Sequence, residues 1–124
     1  NNPYAELERI FHEPSRLAIM SNLCGAVEGM TFTELKQACD LTDGNLNSHL
    51  KVLSEQNAVK IKKEFVGAKP RTTVFLTGSG RKSFVRYLDA LEDVLKAAAK
   101  KARPNKTAEK NRLPKGARVK PSEA

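Results

Sequence analysis

Four side chains between Asn45 and Lys51 are of types that read or grip a polyanion. Asn45 and Asn47 each carry an amide that both donates and accepts hydrogen bonds. Ser48 adds a small hydroxyl, and Lys51 a cationic head. Just ahead of them, Thr42 and Asp43 stand where a helix begins, and the free N–H groups of a first helical turn hold anions well. Gly44 costs about 1 kcal/mol against alanine inside a helix. One reason for a chain to accept that cost is close approach of a bulky ligand backbone. When Leu46, Leu50 and Leu53 turn to one side of the helix, Gly44, Ser48, Lys51 and Glu55 fall on the other. Asn45, Asn47 and Val52 then lie on the flanks. A polar exterior of this kind is also what plain solvation selects, so its meaning depends on the elements around it.

Those elements follow from the hydrophobic period. Tyr4, Leu7, Ile10 and Phe11 mark one face of a short first helix. Pro14 interrupts it and suits the first turn of a second helix, whose broad apolar side holds Leu17, Ile19, Met20, Leu23 and Cys24, and which Glu28 and Gly29 close. Thr33 reads as the N-cap of a two-turn helix with Glu34 beside its positive end and Leu35, Ala38 and Cys39 facing inward. Asp40 and Leu41 form a tight turn, and Thr42 caps the helix that ends near Gln56 and Asn57. The period then changes from about 3.6 to two. Val59, Ile61 and Lys63 alternate with Lys60, Lys62 and Glu64. After a loop at Val66–Pro70, Thr72, Val74 and Leu76 alternate with Thr73, Phe75 and Thr77, which is a β-hairpin signature. Lys62, Lys63, Lys69, Arg71 and Thr72 therefore sit on one projecting arm.

Two short helices joined by a tight turn cross steeply, so that the second projects from the surface. A projecting helix fits the DNA major groove, where base edges show distinct donor and acceptor patterns. Asn45 and Asn47 suit an adenine edge, Lys51 reaches phosphate or guanine, and the basic arm can straddle phosphates beside the groove, with Arg71 able to enter a narrow minor groove. The pairing of such a helix with a basic hairpin carries more weight than either part alone.

Beyond the hairpin, Gly78 and Gly80 break the strand and a long helix runs from about Ser79 to Ala102. Phe84, Leu88, Leu91, Leu95 and Ala98 step by four, three, four and three, a narrow seam of the coiled-coil kind, flanked by Tyr87 and Val94. A helix of this length spans ~30 Å, near the width of a small domain. Part of its seam must overhang, which predicts a two-fold dimer through this helix and the first one, with Tyr4, Leu7, Phe11, Phe84, Leu88, Leu91, Leu95 and Ala98 at the interface. From Arg103 the pattern vanishes among prolines and lysines. Residues 1–100 hold 14 Lys/Arg and 12 Asp/Glu, whereas 101–124 hold 8 and 2; the two parts, +2 and +6, make the net charge of +8. The expectation is thus one domain over 1–102, with its dimerisation helix at about 79–102, and a basic flexible arm over 103–124 that attracts any polyanion.

The stretch from about Leu7 to Leu95, roughly three-quarters of the chain, resembles the winged-helix regulators of the MarR/ArsR-like group. HEPSRLAIMSNL is similar to the opening of its small single-domain branch, TFTELKQACDLTDGNLNSHLKVLSEQNAV to its helix-turn-helix, and KPRTTVFLTGSGRKSF to its wing strand and the start of its last helix. The run TDGNLNSHLKVL is the most specific part. The resemblance implies a mainly α fold with a β-hairpin wing. It further implies a homodimeric transcriptional regulator on a pseudo-palindromic double-stranded operator, with Asp43 to Lys51 in the major groove and Lys69 to Arg71 on the wing. Phe75 departs from the pattern, standing where relatives often have a polar residue, and the arm from Arg103 lies outside it.

Other classes find little support. Cys24 and Cys39 are too few for a disulfide scaffold and fit a reducing cytoplasm. With His12 and His49 they show no metal-ligand spacing, so neither metal nor cofactor is expected, and the clustered cysteines of arsenic- or zinc-sensing relatives are missing. No nucleophile or carboxylate pair surrounds either histidine, which argues against an enzyme. His49 lies beside the leucine face and is expected to be hydrogen-bonded there. No run approaches the ~18 apolar residues of a membrane span, and the first residues lack the apolar core of a secretory signal. A small-molecule effector stays open, though so short a chain offers it little room. The alternative reading is a winged helix that binds protein partners, with only non-specific DNA affinity from its tail.

Overall fold

The computed structural model describes residues 9–104. Residues 9–11 are helical, followed by α1 (Pro14–Cys24), β1 (Met30–Thr31), α2 (Phe32–Cys39), α3 (Asp43–Glu55), β2 (Val59–Val66), β3 (Lys69–Leu76) and α4 (Gly78–Ala102). Residues up to Asp89 make one compact unit, and from Ala90 a second begins, so the division falls within α4. Tyr4, Leu7 and the basic arm from residue 105 lie outside the described residues.

Local chemistry sets each helix boundary. Glu13 caps α1, its carboxylate accepting from the Arg16 N–H at 2.8 Å, and Pro14 occupies the first turn. The cap of α2 is Thr31, two residues before the expected Thr33. Thr31 accepts from the Glu34 N–H at 3.1 Å while the Glu34 carboxylate accepts from the Thr31 N–H at 2.9 Å. This reciprocal box satisfies two backbone donors at once, which a cap at Thr33 cannot do. Leu35 is buried and Cys39 half-buried as expected, but Ala38 is exposed. Partial burial pushes the Cys39 thiol up from its ordinary range and keeps it protonated at neutral pH. At the far end, Asp40 takes a left-handed φ of 56°, with the Leu41 N–H donating to the Lys36 carbonyl and the Asp40 N–H to that of Gln37. That double bond pattern closes a helix sharply and is the turn of the helix-turn-helix. Thr42 caps α3 through the Asn45 N–H at 3.1 Å, as expected.

The sheet is antiparallel, in the order β1-β3-β2. β1 has no signature in the sequence. Two residues carry no readable period, and Met30 and Thr31 become a strand only because Val74 and Thr73 lie opposite them. Phe75 finds its partner here. Gly29 adopts a φ of +81°, and a Cβ on it would stand 2.8 Å from the Phe75 ring, so this glycine makes room for the unusual aromatic.

The core of the first unit joins Ile19, Met20, Leu23, Leu35, Leu46, Leu50, Leu53 and Val74, all nearly inaccessible. Burial of each large apolar side chain is worth roughly 1.5–3 kcal/mol. An aromatic cluster completes it. Phe11 meets Phe84 edge-on at 5.2 Å, and both lie within 6.0 Å of the Tyr87 ring. This alters the expectation for two of the residues assigned to the dimer interface. Phe11 and Phe84 are 0% and 1% exposed within the chain itself. Their aromatic contacts are made at home, which leaves them no surface for a partner. Leu88, at 37%, is the first residue of the seam to reach solvent. In the second unit, Leu91 is half-buried, whereas Leu95, Val94 and Ala98 are exposed.

Candidate nucleic-acid interface

Helix α3 has two unlike sides. Leu46, Leu50 and Leu53 are 0–2% exposed, and Thr42, Asp43, Gly44, Asn45, Asn47, Ser48 and Lys51 are all exposed. The leucines anchor the helix from below, so among the described residues its outer side is left uncovered. Two of these residues already have work within the fold. The Thr42 hydroxyl accepts the capping hydrogen bond, and Asp43 forms a 2.8 Å ion pair with Lys36 of α2. That pair ties the two helices together and offsets a carboxylate that would repel phosphate. Gly44 serves no internal packing, since a Cβ there would meet nothing within 4 Å. Gly44→Ala is expected to raise stability by up to about 1 kcal/mol and to weaken DNA binding about tenfold. Thermal melts and anisotropy titrations on the one variant check both; equal or tighter binding would show that the glycine serves no approach.

His49 extends sideways from α3. Its Nδ1 lies 3.2 Å from Arg16 Nη1 and 3.9 Å from the Glu13 carboxylate, while Arg16 Nε donates to the Ile10 carbonyl at 2.6 Å. A guanidinium only donates, so in this contact Nδ1 accepts. This cluster holds α3 against the start of α1. The sequence predicts the histidine's hydrogen bond but gives no signal for Glu13 and Arg16 as its partners, because polar contacts across helices leave no period.

The arm is stiffer and better sorted than its sequence shows. β2 and β3 pair without interruption from Val59↔Leu76 to Val66↔Lys69, leaving a turn of Gly67 and Ala68 alone, tighter than the expected five-residue loop. Gly67 supplies the positive φ of +65° that the first position of such a turn favours. Side chains of a strand alternate between faces. Lys62, Glu64 and Arg71 therefore share one face, with Lys63 and Thr72 on the other. Glu64 is the residue the sequence did not single out. It stands directly opposite Arg71 in the register, 3.3 Å from its guanidinium, and 3.6 Å from Lys62. Such surface pairs are worth 0–1 kcal/mol and exchange readily for phosphate. Glu64→Gln is accordingly expected to tighten DNA binding by about two- to fivefold, read from titrations at low salt; weaker binding would mean that Glu64 positions Arg71 instead. Between the arm and the start of α2 runs an open groove of about 540 Å³, walled by Phe32, Val66 and Pro70 and edged by Lys69 and Arg71.

A two-helix motif with an exposed second helix, followed by a cationic hairpin, defines a winged helix-turn-helix protein. The chain belongs to the winged helix DNA-binding domain family, whose model matches residues 15–95. It is 38% identical over 80 residues to the uncharacterised protein MJ0432 of Methanocaldococcus jannaschii, covering 64% of this chain and 86% of that one. Among solved structures it is similar to a transcriptional regulator homologue from Pyrococcus horikoshii OT3, with 34% identity, a TM-score of 0.67, and coverage of 73% of this chain and 88% of the other. The fold is also that of a mutant of Staphylococcus aureus MepR solved bound to an oligodeoxyribonucleotide. That match has a TM-score of 0.57 at 15% identity, covering 87% of this chain and 80% of that one. The chain thus carries a winged helix DNA-binding domain.

Proposed function

We propose that the protein is a sequence-specific double-stranded DNA-binding transcriptional regulator that acts as a homodimer on a pseudo-palindromic operator. The observation that carries this reading is the unobstructed outer side of α3, where Asn45, Asn47, Ser48 and Lys51 are exposed above three fully seated leucines. Asn45 and Asn47 read base edges, Ser48 adapts to the neighbouring base or phosphate, and Lys51 reaches guanine or the backbone. Thr42, Asp43 and Gly44 let the backbone come close to the helix start. The wing follows the flanking backbone with Lys62, Lys63, Lys69, Arg71 and Thr72.

Dimerisation supplies the second half-site. Leu91, Val94, Leu95 and Ala98 leave apolar surface on α4 in the second unit, and a second copy of the same helix is the partner of matching chemistry. Two-fold symmetry then sets two α3 helices on successive major grooves, ~34 Å apart.

Selection of bound DNA from a random pool, followed by sequencing, tests specificity and half-site spacing together. An enriched inverted repeat is the expected result. Asn45→Ala should relax preference at one position of each half-site, whereas Lys51→Ala should weaken binding to every sequence if it holds phosphate. A pool that returns no preferred sequence, with binding indifferent to both variants, would reject specific readout and favour a protein-binding module.

A further inference from the structure

The tip of the wing is mostly apolar, with Lys69 its one cation, unlike its stalk. Phe65 is 74% exposed and Val66 49%, and Ala68 and Pro70 are exposed with them. Phe65 and Pro70 are register partners, so ring and pyrrolidine stand together on one face at the last turn of the arm. Strand pairing runs unbroken to Val66↔Lys69, which leaves the tip no slack to fold its aromatic inward. Cations lie on both faces, with Lys63 on the Phe65 side and Lys62, Arg71 and Lys69 on the other, Lys69 standing beside the turn.

Resting on the DNA-binding reading above, we propose that the wing tip is an apolar wedge. Phe65 enters the minor groove, partly unstacks a base step and bends the duplex. The arrangement of charge favours a groove over a flat surface. A minor groove is walled by two phosphate strands, and a hairpin with cations on both faces meets both walls at once while its apolar tip reaches the bases between them. Apolar side chains set between base steps kink DNA in this way. Flexible pyrimidine–purine steps yield most easily, so the wedge adds sequence preference outside the positions that α3 touches.

The test uses the full chain and a duplex carrying the site selected from the random pool, labelled at both ends for energy transfer. The wild-type protein is expected to shorten the end-to-end distance by a bend of roughly 20° or more. Phe65→Ala is expected to lose most of that bend and about tenfold in affinity, and Phe65→Leu to retain most of both. Phe65 is largely exposed, so both variants should melt like the wild type. Equal bending and affinity in Phe65→Ala would overturn the wedge while leaving the DNA-binding reading intact. No preferred duplex for the wild type would overturn both. Phe65-dependent binding to phosphatidylglycerol vesicles, with no change in DNA bending, would reassign the tip to a lipid surface.

Discussion

Gly80→Ala should be among the most damaging single changes available to this fold, although it adds one methyl group. Gly80 lies in the first turn of α4, buried against the backbone of Ala58. A Cβ there would stand 2.8 Å from both the carbonyl carbon and Cα of Ala58 and would overlap its carbonyl oxygen. The obstacle is main chain and cannot rotate away. The same carbonyl accepts from the Thr77 N–H at 3.1 Å, and the Thr77 hydroxyl donates to the Asn57 carbonyl at 2.8 Å while accepting from the Gly80 N–H at 2.8 Å. Moving α4 outward to fit the methyl therefore breaks the cap of α4 as well. Overpacking typically costs about 1–3 kcal/mol, and the loss here is expected near the top of that range. In a domain of this size it lowers the melting temperature by roughly 10–20 °C. Gly78→Ala is the control, since nothing lies within 4 Å of a Cβ at Gly78. If the two variants melt alike, the close approach at Ala58 is wrong.

The second large effect concerns assembly. On the proposed homodimer, changing Leu91 and Leu95 together to glutamate is expected to give a monomer in sedimentation and to cut affinity for a two-half-site operator by about 100-fold or more, because joint binding of linked half-sites is lost. Affinity for a single half-site should change little, which separates loss of pairing from loss of fold. Leu95 is 58% exposed, so its replacement leaves the first unit's core untouched. A double variant that still sediments as a dimer would rule out this face of α4 as the contact.

Several features were legible residue by residue. Leu46, Leu50 and Leu53 announced the buried side of α3 by spacing alone, and Thr42 announced its start. Asp40 and Leu41 marked the turn, and the change to a period of two marked the hairpin. Each rests on neighbours within a few positions, where helix geometry, capping and strand alternation act directly. The outer side of α3 followed by subtraction, since whatever the leucines do not claim is free to face a ligand.

Other features had no local signature. Phe84 continues the apolar seam of α4 in sequence, yet contact with Phe11 and Tyr87 makes it core while Leu95 stays bare. A seam reads the same whether its own domain or a partner covers it. Glu64 was one residue in an alternation until the register set it opposite Arg71. Gly78 and Gly80 both read as strand breakers, and only the approach of Ala58 separates an indifferent glycine from an indispensable one.

The chain by itself thus determined its helices, its hairpin and the side of α3 that faces outward, because these depend on residues near one another along the backbone. Tertiary structure alone decided which apolar residues are spent at home, which charges are already paired and which glycine is required. Those outcomes depend on groups that folding brings together from distant parts of the sequence.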